Sequence, residues 1–271
     1  GLDDAMETGI FTMDITLKQP SGKGSWVLSY HEEEVLKGTY ETEDGKAHIE
    51  AQIPNVHKWT AETPELYDLT VTAGEDAVSI RPGFRRVEIK DHQFLVNGQV
   101  ILLNGANHHD YDPEEGRTVS YERMKEDILL MKQYNINAVR CSHYPSNEYF
   151  YDLCDEYGLY LIDETNLESH GSWDTVEETG DISGVVPCDR PEWLDMMLDR
   201  ANSMYQRDKN HPAVLIWSCG NESFGGKDIF EMSQFFRSED PTRLVHYEGV
   251  FHDRRYNDTS DIESQMYTSV E

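Results

Sequence analysis

Positive charge is scarce in this chain. Its 271 residues hold 23 Lys and Arg against 52 Asp and Glu, a formal net charge of −29 at neutral pH. Phosphates need clustered Lys and Arg, which excludes nucleic acid as a partner and disfavours an anionic membrane surface. Long apolar runs are missing too. Mean hydropathy is −0.67, and nothing approaches the roughly 20 apolar residues of a spanning helix. The start, Gly1-Leu2-Asp3-Asp4, has neither the basic nor the apolar part of a secretion signal. Lacking an initiator Met, it reads as an internal piece of a longer polypeptide. Cysteine is sparse: Cys141, Cys154, Cys188 and Cys219 form no CxxC pair. They read as buried free thiols in a reducing, cytoplasmic setting, with no spacing for a zinc site. Repeats and low-complexity tracts are absent. The length is ample for two ordinary domains.

The first third has no helical period. Short alternating segments occur at 10–17, 25–30, 46–53 and 66–72, separated by turn signals such as Asp44-Gly45. This pattern predicts a β-sandwich over 1–88. Asn97-Gly98 marks another hairpin, after which apolar runs alternate with helical stripes. Met124, Ile128 and Met131 share one face behind Ser120 as N-cap. Phe150, Leu153, Cys154 and Tyr157 form a second stripe, closed by Gly158 as C′ residue. Trp193, Met197, Ala201 and Met204 form a third. Buried strands are expected at 136–140, 159–162, 214–218, 244–247 and 262–266. With the run before His109, that makes about six parallel strands over 89–271, part of a barrel.

Each of these runs ends in residues that are costly to bury alone: Asn107-His108-His109, Arg140 to His143, Asp163-Glu164, Asn221-Glu222, Glu248 and Met266-Tyr267. In an α/β barrel the strand C-termini converge on one catalytic face. A carboxyl at the lip of a buried strand is partly desolvated, and desolvation favours the proton-bearing form that a general acid needs. Glu222 occupies such a place, with Asn221 beside it able to hold a sugar hydroxyl. Glu168 and His170, two apart in a loop, could join Glu222 around a hard divalent cation. Trp173, in the same loop, is a candidate stacking face for sugar. For each of these residues the structural alternative is a helix cap, an ion pair or a solvated loop.

The stretch from Asn137 to Pro145 (NAVRCSHYP) resembles one signature of glycoside hydrolase family 2, and Lys209 to Glu222 (KNHPAVLIWSCGNE) resembles the second. Between them, Asp163 to Gly171 (DETNLESHG) looks like the β-galactosidase branch. The resemblance implies an immunoglobulin-like β-sandwich followed by a (β/α)8 TIM barrel. It also implies retaining hydrolysis of terminal β-D-galactosides, and a homo-oligomeric parent. By resemblance, Glu222 is the acid/base, and Glu168, His170 and Glu222 hold Mg2+. Asn221, His109, His143, Arg140, Tyr267 and Met266 match substrate-pocket positions.

Two departures accompany the match. Family members begin with a jelly-roll domain that precedes this chain's start. Their nucleophile, a second glutamate, follows the seventh barrel strand, past Glu271. Asp163, Glu164, Glu248 and Glu263 are carboxylates within the chain, but none matches the nucleophile motif. The chain therefore reads as a fragment with little turnover of its own. The alternatives are a non-catalytic carbohydrate-binding module and another family 2 glycosidase such as a β-glucuronidase.

Overall fold

The computed structural model describes residues 1–174 and 176–269. Contacts divide the chain into two compact units. The first comprises Gly1–Leu102, Asp155–Gly158 and Asn210–Pro212; the second comprises Leu103–Cys154, Leu159–Lys209 and Ala213–Glu271.

The first unit is antiparallel β structure. Strands β1 (Thr8–Thr16) and β4 (Lys46–Pro54) pair with each other. A four-stranded sheet has the order β3 (Glu33–Glu41), β2 (Lys23–Tyr30), β5 (Asp68–Ala73), β6 (Asp76–Ile80). Both sheets send side chains into one buried cluster: Phe11 and Ile53 from the pair, and Trp26, Leu28, Tyr40 and Leu69 from the larger sheet. The turn before β4 has Asp44 and Gly45 at φ 49° and 76°, the double left-handed geometry that a type I′ turn demands. Asn97 and Gly98 repeat it, at φ 53° and 73°, between β8 (Gln93–Val96) and β9 (Gln99–Val100); β7 (Val87–Lys90) completes that three-stranded sheet.

The second unit alternates strand and helix. Strands β10 (Gly105–His108), β11 (Ala138–Cys141), β12 (Tyr160–Glu164), β13 (Val214–Ser218) and β14 (Leu244–His246) are parallel and lie in chain order. Between them run α1 (Tyr121–Gln133), α2 (Glu148–Tyr157), the short α3 (Val176–Thr179), α4 (Leu194–Asp208) and α5 (Lys227–Glu239). Ser120 caps α1, its hydroxyl accepting from the Arg123 N–H at 3.2 Å. Met124 and Ile128 face inward from α1, and Phe150, Leu153 and Cys154 from α2. Gly158 follows α2 at φ 76°. In α4 the buried stripe is Met197, Ala201 and Met204. Trp193 precedes the helix in a single 3-10 turn and is 40% exposed, so it is not core. Every residue of β13 is buried, and the ring of Trp217 stacks on Phe236 of α5 at 5.7 Å. All four cysteines are buried, and none forms a disulfide. Among the described residues no helix is long and apolar enough to cross a membrane.

The expected sixth parallel strand, at 262–266, does not form; among the described residues the sheet has five strands. Side chains from 260–264 instead take the polar groups at the edge of β14. Asp261 Oδ2 accepts the Val245 N–H at 2.7 Å, and Ser260 Oγ accepts the Tyr247 N–H at 3.2 Å. Ser264 Oγ donates to the carbonyls of Tyr247 and Glu248. Local Ser and Asp hydrogen bonds satisfy the backbone in place of a ladder.

Candidate active site

The C-terminal ends of the parallel strands gather the polar residues. From the end of β11, Arg140 donates through Nε to Glu164 Oε2 at 2.6 Å and through a terminal nitrogen to Asn221 Oδ1 at 2.9 Å. Just beyond β11, His143 Nδ1 lies 2.7 Å from Glu164 Oε1. Ser218, closing β13, donates to Glu164 Oε2 at 2.7 Å. Glu164 thus ends β12 with both oxygens engaged, at 0% exposure. Burial pushes its carboxyl upward, but His143, Arg140 and Ser218 together hold it below its ordinary value. It is an anion that organises three strand ends.

Glu222 follows β13. The preceding Asn221 N–H bonds to Leu167 O at 2.8 Å, and Asn221 forms a parallel bridge with Glu168, bringing the 167–170 loop alongside. The Glu222 side chain is 13% exposed, and its Oε2 lies 3.0 Å from His170 Nδ1. Its backbone sits at φ 32°, in left-handed space. The Glu222 N–H donates to Glu248 Oε1 at 2.6 Å, and its carbonyl accepts from Trp173 Nε1 at 2.9 Å. Glu248 is 3% exposed. Burial is the main cause that pushes its carboxyl up to about 7; Glu164 and Glu222 add to it, while the Glu222 N–H and Arg140 oppose it. Nearby His246 is pushed down to about 4, chiefly by burial and then by Arg140, and is neutral.

His109 meets His143 edge-on, with ring centroids 5.4 Å apart. Partial burial, then His143 and Arg117, lower its pKa, so it is a neutral imidazole at neutral pH. Trp173 is not a free sugar platform. It is 7% exposed, packed with Val185, Cys188 and Phe224, and stacked on His170 at 4.7 Å. Of the residues expected from sequence, Arg140, His143, Asn221, Glu222 and His170 are joined by these contacts, and Glu168 lies in register with Asn221. Met266 is half-buried and Tyr267 is 92% exposed. Among the described residues neither joins the hydrogen-bonded network. The support given to Glu222 by Glu248 and Trp173 is not visible in sequence, where the only signals are a carboxylate ending an apolar run and a loop tryptophan.

For magnesium, the donor set of two carboxylates and one imidazole suits a hard cation. Adjacent ligands about 2.1 Å from an octahedral ion lie about 3 Å apart, the spacing found between His170 Nδ1 and Glu222 Oε2. Glu168 is exposed and does not close within 4.8 Å of both. The donors fit in kind, and two of the three fit in spacing.

Another buried acid lies outside this network. Asp163, one residue before Glu164, accepts from Tyr151 Oη at 2.6 Å. Its pKa is raised well above the usual carboxylate range, by burial first and by Asp208 next. A folded-state value above the unfolded one means that the folded protein holds the extra proton. Stability from this group is full below the unfolded value of about 3.8 and is lost as pH climbs through the folded one. Asp163→Asn is therefore expected to flatten the fall in stability above pH 4, measured by denaturant unfolding at stepped pH. An unchanged slope would show that Asp163 does not carry it.

Residues 87–271 match the model for glycosyl hydrolases family 2, TIM barrel domain, and residues 2–85 match the model for glycosyl hydrolases family 2. A β-galactosidase of Streptococcus thermophilus is 48% identical over 94% of this chain and 26% of its own length. One from Priestia megaterium is 52% identical over 81% of this chain and 22% of its own length. The chain thus spans about a quarter of the length of these curated relatives. A solved β-glucuronidase of Parabacteroides merdae shares the fold, with a TM-score of 0.81 at 23% identity over 99% of this chain and 35% of its own. With family models matching both parts, the chain belongs to glycosyl hydrolase family 2.

Proposed function

We propose that this chain supplies the acid/base machinery of a retaining β-galactosidase. The supporting observation is Glu222. It is a mostly buried carboxyl at a barrel strand end, beside Asn221 and His170, in a chain whose β-galactosidase relatives reach 52% identity. Glu222 would give its proton to the glycosidic oxygen as the C–O bond breaks, and the aglycone leaves as an alcohol. A carboxylate on the opposite face takes the anomeric carbon. Glu222, now a base, takes a proton from water as that water attacks, and is restored. With its oxygen held by Arg140, Asn221 keeps its amide N–H groups for a sugar hydroxyl. His143, fixed through Nδ1, keeps Nε2 for the ligand. Glu168, His170 and Glu222 would hold magnesium, which supplies fixed positive charge beside the acid.

Retention needs the second carboxylate about 5–5.5 Å from the first. Glu164 and Glu248 are buried and committed to other partners, and Glu263 is paired with Arg254. We assign none of them as the nucleophile, and little turnover is proposed for the 271 residues alone. The first unit, with two sheets around one core, supports an immunoglobulin-like sandwich.

The test uses the gene product that carries these residues. Nitrophenyl β-galactoside should be cleaved far faster than the β-glucuronide, with the β-anomer released first by NMR. Chelation should slow turnover and added Mg2+ restore it, and His170→Ala should remove that response. Preference for the glucuronide, or release of the α-anomer, would overturn the reading. Indifference to chelation would remove the metal from it.

A further inference from the structure

Glu222 stands in a backbone conformation that side-chain-bearing residues rarely adopt, and its neighbour Phe224 shares it, at φ 61°. Such geometry persists only where surrounding contacts over-determine it. Here the contacts come from two separate elements and grip opposite sides of one residue. Glu248, two residues past β14, accepts the Glu222 N–H. Trp173, in the loop after β12, donates its indole N–H to the Glu222 carbonyl. Each is at least nine-tenths buried. Each is itself anchored: the Glu248 carbonyl accepts from Ser264 Oγ at 3.0 Å, and the Trp173 ring is packed against Phe224 and His252. The next residue is held from the same strand end, since the Ser223 N–H donates to the Tyr247 hydroxyl at 3.1 Å.

We propose that Glu248 and Trp173 are positioning residues, a two-sided backbone clamp that aims the Glu222 carboxyl at the leaving-group oxygen. Neither touches the substrate. The clamp rests on the acid/base reading of Glu222 and adds to it the parts that fix its direction. Proton transfer to a departing oxygen requires hydrogen-bond reach, so a displaced carboxyl penalises leaving groups that need the proton and spares those that do not. A displacement of about 1 Å can cost about 100-fold.

The experiment compares kcat and KM on lactose with the burst rate of dinitrophenolate release from dinitrophenyl β-galactoside, using the gene product that carries these residues. Variants are Glu248→Ala, Glu248→Gln, Trp173→Phe and Glu222→Gln. Glu248→Ala and Trp173→Phe should lower kcat on lactose about 10–100-fold, with KM nearly unchanged and the burst rate of dinitrophenolate release nearly unaffected. Glu248→Gln keeps a carbonyl oxygen for the Glu222 N–H and should retain most activity. Trp173→Phe keeps the ring on His170 and removes only the donor, so it tests the clamp even where Glu248→Ala fails to fold. Equal losses in lactose turnover and in the dinitrophenolate burst, or lactose turnover at the parent rate in Trp173→Phe, would overturn the clamp. Absence of leaving-group selectivity in Glu222→Gln would instead overturn the acid/base reading.

Discussion

Glu222→Gln is expected to cut hydrolysis of lactose-type β-galactosides by about 100- to 10,000-fold, the usual contribution of a positioned proton donor. The substitution is nearly isosteric. Its carboxamide can keep the contact with His170 Nδ1, which lies 3.0 Å from Oε2, and the backbone contacts to Glu248 and Trp173 do not involve the side chain. What is lost is the transferable proton. The loss should therefore track the leaving group: large for a sugar aglycone, which departs as a strong base unless protonated, and small for dinitrophenolate in the bond-breaking step. In the second step water lacks its base, so the dinitrophenyl substrate should show a fast burst and then slow turnover. Stopped-flow release of dinitrophenolate reads both. A uniform loss without a burst would mean that Glu222 acts structurally.

Periodicity in the sequence reveals the strands and helices whose apolar faces are buried. It does not reveal β3 or β6, the two edges of the larger antiparallel sheet. Only Tyr40 of β3 is fully buried and no residue of β6 is. Little of either strand is buried, so no strong apolar alternation is written into them. Helix α5 carries Ile229, Met232 and Phe236 at helical spacing, a signal present in the sequence but easily passed over beside the motif that precedes it. The segment 262–266 misleads in the opposite direction. Its apolar residues suggest a strand, yet Ser260, Asp261 and Ser264 tie its backbone neighbours by side-chain bonds. At the site, charged residues ending apolar runs are legible because burying them alone is costly. Their partners are not: only the three-dimensional register places Arg140 between Glu164 and Asn221, or puts Trp173 under the Glu222 carbonyl.

The largest stability effect is expected at that buried anion. Arg140→Ala should destabilise the fold by about 3–5 kcal/mol, the range for removing one partner of a buried pair. Glu164 is fully buried and would lose its 2.6 Å Nε donor, while Asn221 Oδ1 would lose its 2.9 Å donor. His143 and Ser218 remain as donors, so Glu164 is not stranded and the protein should still fold. The sign of the pH dependence gives a second check. The folded Glu164 carboxyl lies below its ordinary value of 4.5, so its stabilisation is complete above that pH and is lost as pH falls through the lower folded value. Without Arg140, burial, which is the largest influence on this group, opposes two hydrogen bonds rather than a full ion pair. The acid-side fall in stability should then flatten. Denaturant unfolding of both proteins from pH 3 to 7 measures the loss and the slope together. A cost under about 1 kcal/mol, the value of an exposed pair, would show that Arg140 does not pin the strand ends. Asn221 would then have to be held by β13 and the 167–170 loop, and Glu222 by its contacts to Glu248 and Trp173.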